Sequence, residues 1–497
     1  MHVNGRHHRK VLEDIARRAM LSRGLLPDFS PKALDELSHI HGAAAPQEET
    51  ILDMRTILWA SIDNDESLDL DQLTAAQEIP GSHVRIFVAI ADVDSLVKCD
   101  LAIDAHARHN TTSVYTAARI FPMLPEKLST GFTSLNLEED RLANIVDMIF
   151  NEEGALVESK IYRAVVRNHA KLAYNSVARW LEGSGPVPEA VNAVDGLEDN
   201  LRLQDRTAQR IKRYRHIHGA LSLETIEARP VFDGDVMSGM EVEERNRAKE
   251  IIEDFMIAAN GATARYLTAQ HFPTIRRVVR TPKRWERIVE IADGHGTKLP
   301  ETANARALEA FLTEQRAADP LHFPDLSLSI IKLIGAGEYV AESPGDPPPG
   351  HFGLAVQDYT HSTAPNRRYP DLVTQRLVKA ALQNAPCPYK MDDLHVLARH
   401  FTEKEDDAKK VERQVNKSAA ALVLEERIGE TFDVVVTGAS PKGTWVRLLK
   451  MPVEGKLVHG FEGADVGDRL HVELVSVDVE QGFIDFRRSK HTRRNMG

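Results

Sequence analysis

Asp63, Asp65, Glu66, Asp69 and Asp71 crowd into the segment Ala60-Ser61-Ile62-Asp63-Asn64-Asp65-Glu66-Ser67-Leu68-Asp69-Leu70-Asp71-Gln72. Carboxylates at this density repel one another and raise each other's pKa unless cations sit among them. Hard oxygen ligands so arranged are what Mg²⁺ and Ca²⁺ sites use. An acidic run is often only a solvated loop, and an EF-hand calcium loop is a second candidate. The EF-hand needs Gly at its sixth position and Glu at its twelfth, and counting from Asp63 these are Leu68 and Thr74. The preceding Ile57-Leu58-Trp59 also reads as a strand rather than a helix. Ile62, Leu68, Leu70 and Leu73 interleave with the acids, a pattern that pins the loop against a core and makes its carboxylates converge.

A second constellation lies far along the chain, in the stretch from His351 to Leu372. Tyr359-Thr360-His361-Ser362-Thr363 is rich in hydroxyls and is followed by Arg367 and Arg368 at the start of a helix. Together these offer phosphate oxygens hydroxyl donors, guanidinium forks and helix N-terminal N–H groups. The same two arginines would serve equally by pairing with local carboxylates. An acidic metal loop in the same chain favours phosphate handling, and metal with arginine points to phosphodiester chemistry.

The elements that must position these residues come from a chain of 497 residues, 42% hydrophobic and 27% charged. Such a length suggests about two to four domains, in an ordinary globular composition. No run reaches the roughly 18 apolar residues of a membrane helix, and Met1 to Lys10 lacks the apolar stretch of a secretory signal. Cys99 and Cys387 are the only cysteines, too few for a disulfide framework or a Cys-based zinc site. The expectation is a cytoplasmic protein. A net charge of −12 speaks weakly against a nucleic-acid partner, but binding follows local patches. Two basic patches are present, Arg276 to Arg287 and Arg487 to Arg494, and each reads equally as a solvated face or tail.

Residues 1–50 carry two helical patterns, Lys10 to Arg23 and Pro31 to Ile40, with Ser30 as an N-cap. They suit a structural cap or a helix-turn-helix fragment. Strands and loops are expected from Arg55 to Phe150. Val84 to Ala91 is a buried strand, and Ile145 to Phe150 and Val157 to Val166 turn around Gly154. A helix is expected over Glu241 to Leu267, from the spacing of Ile251, Ile252, Phe255, Met256 and Ala259. Residues 292–348 alternate helices with Gly/Pro breaks. Further helices run from Asp371 through Leu382 and from Asp392 to about Glu426. Five short strand signals follow in the last segment, at Val434, Gly443, Gly455, Asp468 and Phe483, punctuated by glycine turns. They suit a small five-stranded barrel of the OB type, of the kind that binds single-stranded nucleic acid by aromatic stacking. Trp445 and Phe461 fit that role or a plain core.

On three motifs the chain resembles the RNase II/RNB family of exoribonucleases. These are the aspartate loop, Thr112-Ser113-Val114-Tyr115 leading to Ile120-Phe121-Pro122-Met123-Leu124-Pro125, and Tyr359 to Thr363 with Arg367-Arg368-Tyr369. Asn246-Arg247-Ala248 through Asn260 is similar to the family's central helix. The resemblance covers roughly residues 52–427, and the last seventy residues or so resemble the OB-type RNA-binding module that ends these enzymes. It implies an α+β fold: a helical region over 1–50, a mixed α/β RNB catalytic domain over 51–427, and a C-terminal OB barrel over 428–497.

The resemblance also implies roles. Asp63, Asp69 and Asp71 align with the first three family aspartates and would hold metal, and Asp69, Asp71 and Arg367 would be catalytic. The fourth aspartate is Gln72 here, which offers a carbonyl oxygen but no charge, and Asp65 or Glu66 would supply what it lacks. Tyr115 stands where relatives stack the 3′-terminal base, Arg367 would face the scissile phosphate with Arg368 and Tyr369 in support, and Thr363 and Arg368 would bind RNA. Glu412 corresponds to a glutamate that contacts the terminal nucleotide, with Glu253 and Arg277 as further RNA contacts and Trp445 on the barrel. The implied activity is processive 3′→5′ hydrolysis of single-stranded RNA to nucleoside 5′-monophosphates. Its two Mg²⁺ ions, for which Mn²⁺ is a possible substitute, lie ~3.5–4 Å apart. A monomer is expected, with no membrane partner. The aspartate loop is reached by residue 63, so the family's two cold-shock domains are not expected ahead of it. The N-terminal helices would then replace or omit that clamp and ease access to structured RNA. Two other readings stay open, both disfavoured by the retained aspartates with Tyr115 and Arg367: a catalytically silent RNA-binding protein of the same fold, made conceivable by Gln72, and an RNA chaperone or translation factor acting through the barrel.

Overall fold

The computed structural model describes residues 8–46, 50–225, 228–242, 245–320, 322–440 and 443–489. The basic tail beyond Ser489 lies outside these residues. Two helices come first, α1 (His8–Ser22) and α2 (Pro31–Ser38). Ser30 caps α2, its hydroxyl accepting the Ala33 N–H at 3.2 Å, and Pro31 takes the first helical position, where its missing N–H costs nothing.

The acidic loop is slung between neighbouring strands of a seven-stranded mixed sheet. Strands β1 (Leu52–Asp53), β2 (Ala60–Asp63), β3 (Gln72–Ile79) and β4 (His83–Ala91) are followed by helix α3 (Ala102–Asn110) and a short hairpin, β5 (Val114–Tyr115) with β6 (Ile120–Phe121). After a π-helical turn over Lys127–Phe132 come β7 (Asp140–Phe150), β8 (Leu156–Arg167) and β9 (Ala170–Ala173). The sheet order is β1-β8-β7-β4-β3-β2-β9. Asp63 therefore closes β2 and Gln72 opens β3, so pairing fixes both ends of the acidic loop.

Ile62, Leu70 and Leu73 are buried as the alternation requires, whereas Leu68 is 59% exposed. The loop is held there through its backbone instead, because the Leu68 carbonyl accepts the Ser134 hydroxyl at 2.8 Å. Helix α3 interrupts a stretch expected to consist mainly of strands and loops, burying Ile103, Asp104, His106 and Ala107 on one face. Gly154 turns β7 into β8 with φ of +89°, and a Cβ there would lie 2.3 Å from the Arg210 carbonyl oxygen. No other residue type satisfies both conditions.

Helices α4 (Tyr174–Leu181), α5 (Glu189–Asn192) and α6 (Leu197–Ile217) lead to a hairpin, β10 (Ala228–Asp233) and β11 (Val236–Val242), then to α7 (Arg247–Ala269). The helix expected from Glu241 thus begins at Arg247, because Glu241 pairs with Arg229 in the hairpin. Asn246 supplies the cap, accepting the Lys249 N–H at 3.0 Å. The apolar stripe lies wholly beyond that cap, and Ile251, Phe255, Ala259 and Ala262 cover Ile86, Val88, Ile90 and Met148 of the sheet.

A two-stranded ladder joins β12 (Thr274–Val278) to β13 (Glu338–Glu342) around α8 (Trp285–Gly294), α9 (Ala305–Ala318) and α10 (Phe323–Ile334). Then come α11 (Tyr369–Leu382) and the 34-residue α12 (Met391–Leu424). Strands β14 (Thr431–Ser440), β15 (Gly443–Leu448), β16 (Glu454–His459), β17 (Arg469–Asp478) and β18 (Phe483–Arg488) close a barrel in the order β14-β15-β16-β18-β17. Helix α1 packs Leu12, Ile15, Ala16 and Met20 into one cluster with Ala408, Val411 and Val415 of α12 and with the barrel core. Each of these Leu, Ile, Met and Val side chains contributes about 1.5–3 kcal/mol on burial, and each alanine less. Arg18 then bridges to Glu480 at the β17–β18 turn, at 3.1 and 2.6 Å.

Candidate active site

Asp63, at the end of β2, folds the first turn of the acidic loop: its Oδ1 accepts the Asn64 N–H at 2.7 Å and the Ser67 hydroxyl at 2.9 Å. Asp69 accepts the Tyr115 hydroxyl at 3.2 Å. Asp71 is 1% exposed, and its Oδ1 takes the Asn366 N–H at 2.9 Å. Its Oδ2 lies 3.2 Å from Arg367 Nε, yet this buried atom has no hydrogen-bond partner among the described residues. Burial pushes the Asp71 carboxyl up to about 7, against the pull of Arg367. Asp69 is likewise raised, by burial first and with Asp63 adding to it, while Arg367 and the Tyr115 hydroxyl act the other way.

The arginine loop is stitched to the Tyr115 strand along its backbone. The Arg367 carbonyl accepts the Ser113 N–H at 2.9 Å and the Thr112 hydroxyl at 3.1 Å, and the Tyr369 N–H reaches the Thr111 carbonyl at 2.7 Å. The Tyr115 N–H in turn reaches Glu412 Oε1 on α12 at 2.8 Å. Tyr115 keeps 36% of its surface open, so its ring remains available to stack. Asp63, Asp69, Asp71, Arg367, Tyr115 and Glu412, drawn from five separate elements, thus meet in one place.

Other candidates stand elsewhere or do other work. Arg368 forks onto Asp371 at 2.8 and 2.7 Å. Asp371 also takes the Ala364 N–H at 2.9 Å, so this pair closes the loop on its own helix. Thr363 is buried. Arg277 grips Glu405 on α12 at 2.8 and 3.0 Å and lies 4.7 Å over the Tyr339 ring, facing α12 rather than the acidic loop. Glu253 pairs with Arg245 at 2.8 Å on the wall of a cavity of about 150 Å³, none of whose lining residues belongs to the acidic loop. Trp445 is half-exposed on β15. Asp65 and Glu66 are exposed, and Gln72 is buried with its backbone paired to Ile90.

Sequence reasoning passed over Asn366, which holds Asp71, and the Thr133-Ser134 pair that flanks it. Asn366 lay inside a quoted motif; Thr133 and Ser134 gave no signal, because their partners are remote in the chain.

The donor set suits a hard divalent cation. Asp71 Oδ2 is a buried acceptor without a donor, and two neighbouring carboxyls carry raised pKa values, as expected where positive charge is called for. Asp63, Asp69 and Asp71 do not form a tight cluster by themselves. Among the described residues only Cys99, Asp100 and Asp104 bring three ligand atoms within 4.8 Å of one another. Asp104 there is already engaged by Arg376 at 2.7 Å and by the Tyr369 hydroxyl at 3.0 Å, which leaves no cation site.

Comparison with known proteins gives the family and the fold. The family described as "RNB domain" matches residues 51–384, and the "RNase II-type exonuclease C-terminal S1 domain" matches residues 430–489. The chain belongs to the RNB family. Ribonuclease R 1 of Lactococcus lactis is 28% identical over 90% of this chain and 54% of its own length. Ribonuclease R of Escherichia coli is 28% identical over 95% of this chain and 62% of its own. The chain thus spans less than two thirds of the length of these relatives. The solved structure "Mycoplasma genitalium RNase R in complex with ribose methylated single-stranded RNA" has a TM-score of 0.86 at 22% identity, over 96% of this chain and 78% of its own. That likeness establishes the mixed fold with its terminal barrel. Among the described residues no helix is long and apolar enough to cross a membrane.

Proposed function

We propose that this chain is a 3′→5′ exoribonuclease that hydrolyses single-stranded RNA processively and releases nucleoside 5′-monophosphates. The observation that carries this reading is the meeting of Asp71 with Arg367 beside an Asp69–Tyr115 pair whose ring stays open. The relatives named ribonuclease R support the same class of reaction.

Asp63, Asp69 and Asp71 would hold Mg²⁺, or Mn²⁺ in its place, with the Gln72 amide as a neutral oxygen ligand. Two divalent ions bound there would supply an activated water and steady the leaving 3′ oxygen. Arg367 neutralises the charge that grows on the scissile phosphate, in a site where its Nε lies 3.2 Å from Asp71. Tyr115 stacks the terminal base, which every base permits because each has a π-face. Glu412 sets Tyr115 through the backbone. Arg368 acts through Asp371 by shaping the loop that presents Arg367 and Thr363. Trp445 on the barrel stacks upstream nucleotides, and simultaneous hold at both places gives processivity. Ribose 2′-OH contacts would separate RNA from DNA.

Gln72 favours a second reading, a catalytically silent RNA-binding protein of this fold, because it removes a charge from the metal site. Incubation of 5′-labelled RNA with Mg²⁺ separates the two. Ladder-free shortening from the 3′ end by wild type, lost in Asp71→Asn, is the expected result. Intact RNA with wild type would end the nuclease reading, and full activity of Asp71→Asn would end the metal assignment.

A further inference from the structure

The acidic loop and the arginine loop are distant in sequence, and the segment Thr133-Ser134-Leu135 touches both. The Ser134 hydroxyl accepts the Leu70 N–H at 2.9 Å and shares its proton between the Leu68 carbonyl at 2.8 Å and Asn136 Oδ1 at 2.9 Å. The Leu70 and Leu68 groups flank Asp69 on either side. The Leu135 N–H adds a third hold at the Leu70 carbonyl, 3.0 Å away. Next to it, the Thr133 hydroxyl reaches Asn366 Oδ1 at 2.5 Å, and the N–H of that same Asn366 holds Asp71 Oδ1 at 2.9 Å. Thr133, Ser134 and Asn366 are 4%, 0% and 1% exposed, so water does not compete for these bonds.

The segment is itself anchored. The π-helical turn over Lys127–Phe132 precedes it, and the Leu128 carbonyl takes both the Thr133 N–H at 3.1 Å and the Thr133 hydroxyl at 2.8 Å. The hydroxyl has one proton, which is therefore shared between the turn and Asn366. Arg141 fixes the far side, its Nε donating to the Ser134 carbonyl at 3.0 Å. A π-turn is rare and frequently found at functional sites, and here it places two consecutive hydroxyls pointing at two different loops.

We propose that Thr133 and Ser134 are positioning residues: they are the common reference that sets Asp69 and Asp71 on the acidic loop against Arg367 on the other. This rests on the nuclease reading of that site. Neither hydroxyl touches substrate. Each acts through backbone or amide groups next to a residue that does. Misplacement of about 1 Å in such a constellation lowers turnover by up to about 10²-fold, while RNA held by Tyr115 and the barrel binds as before.

The test compares Thr133→Val, Ser134→Ala and Thr133→Ser with wild type on a short single-stranded RNA, with Tm measured alongside. Thr133→Val and Ser134→Ala are expected to lower kcat about tenfold or more with KM within about twofold, and Thr133→Ser to recover most of the loss. A second readout, Mn²⁺ affinity by electron paramagnetic resonance without RNA, is expected to weaken in the same two variants and recover in Thr133→Ser. Folded variants with wild-type kcat and wild-type Mn²⁺ affinity would overturn the proposal. So would a loss confined to KM, or one that Thr133→Ser leaves unrepaired. If wild type leaves RNA intact, the nuclease reading falls alone. The positioning role then stands or falls on the Mn²⁺ series.

Discussion

Arg367 and Arg376 both face buried aspartates, and the two assemblies differ in how completely the charges are met. Arg376 contacts Asp94 at 2.9 Å, Asp104 at 2.7 Å, the Val97 carbonyl at 2.9 Å and the Tyr389 hydroxyl at 3.0 Å. Lys379 beside it reaches Asp92 and Asp94 at 3.0 and 2.8 Å, and Arg163 reaches Asp92 at 2.8 Å. Burial works to raise Asp94, but Lys379 and Arg376 outweigh it and leave that carboxyl below the ordinary range. Around Arg367 the balance is reversed. Its side chain is 42% exposed against 4% for Arg376, and Asp71 keeps an unpartnered oxygen and a raised pKa. A saturated network has nothing left to offer a ligand and serves the fold. An unsaturated one is stabilised only when something else arrives.

The sharpest way to break that contrast is to remove a charge from each side. Asp71→Asn is expected to lower RNA cleavage by about 10³-fold or more, the scale of losing a principal electrostatic group, while leaving the fold at least as stable. Cleavage assays beside thermal melts in EDTA decide it; a variant that melts well below wild type would show Asp71 to be structural. Arg376→Met is expected to do the opposite. Leaving the fully buried Asp104 without its guanidinium, while Asp94 keeps only Lys379, costs about 3–5 kcal/mol of stability. Specific activity per folded molecule, measured with urea titrations on the same samples, should stay within about twofold of wild type. A large loss of kcat in well-folded Arg376→Met would mean that the network shapes the site directly.

Protonation gives a third, smaller contrast. The folded pKa of Asp71, about 7, lies above its ordinary value of 3.8. Between those limits the folded state keeps a proton that the unfolded state has released, so stability contributed by this group falls as pH rises. Asp94 has the opposite sign: its lowered pKa gives stability that is present above the ordinary value and lost as pH falls through the folded one. In EDTA, the stability of Asp71→Asn relative to wild type should therefore grow from about pH 4 to about pH 7. That of Asp94→Asn should approach wild type only in acid. Parallel curves for Asp71→Asn and wild type would refute the burial of an unmatched carboxyl.

Local pattern made one half of this contrast legible and hid the other. The barrel is readable because glycines lie at the turns after β14, β16 and β17, and β4 because six apolar residues run together from Ile86 to Ala91. The aspartate loop, Tyr115 and Arg367 stood out as residue types whose chemistry needs company. What each would touch was not readable. Arg368 and Arg367 are neighbours of the same type, yet only Arg368 finds a carboxylate three positions on, in Asp371. Arg277 in a basic run turned out to be buried on Glu405, a partner on a helix far along the chain. Helix α7 begins later than the sequence suggests, because the hairpin residue Glu241 carries no local mark of its pairing with Arg229. Leu68 fitted the apolar alternation and is exposed, because a hydroxyl from Ser134 replaced the packing that its side chain was expected to supply.

The smallest expected effect is also the most discriminating, because each assembly contains one tyrosine that donates to an aspartate. Tyr369 reaches Asp104 at 3.0 Å from a fully buried position, 1% exposed, whereas Tyr115 reaches Asp69 at 3.2 Å with 36% of its surface open. A hydrogen bond to a charged group contributes about 1.5–3 kcal/mol when both groups are desolvated, and much less where water can take the donor's place. Tyr369→Phe should therefore lower stability by about 1.5–3 kcal/mol in urea titrations and leave kcat unchanged. Tyr115→Phe should leave stability unchanged and reduce kcat only about two- to fivefold, since the ring that stacks the base is retained. Tyr115→Ala, which removes the ring, should weaken RNA binding by about 1–3 kcal/mol in anisotropy titrations. If Tyr115→Phe instead destabilises the fold as Tyr369→Phe does, Asp69 is held as firmly as Asp104. The acidic loop would then be a second saturated network, with no coordination left for a cation.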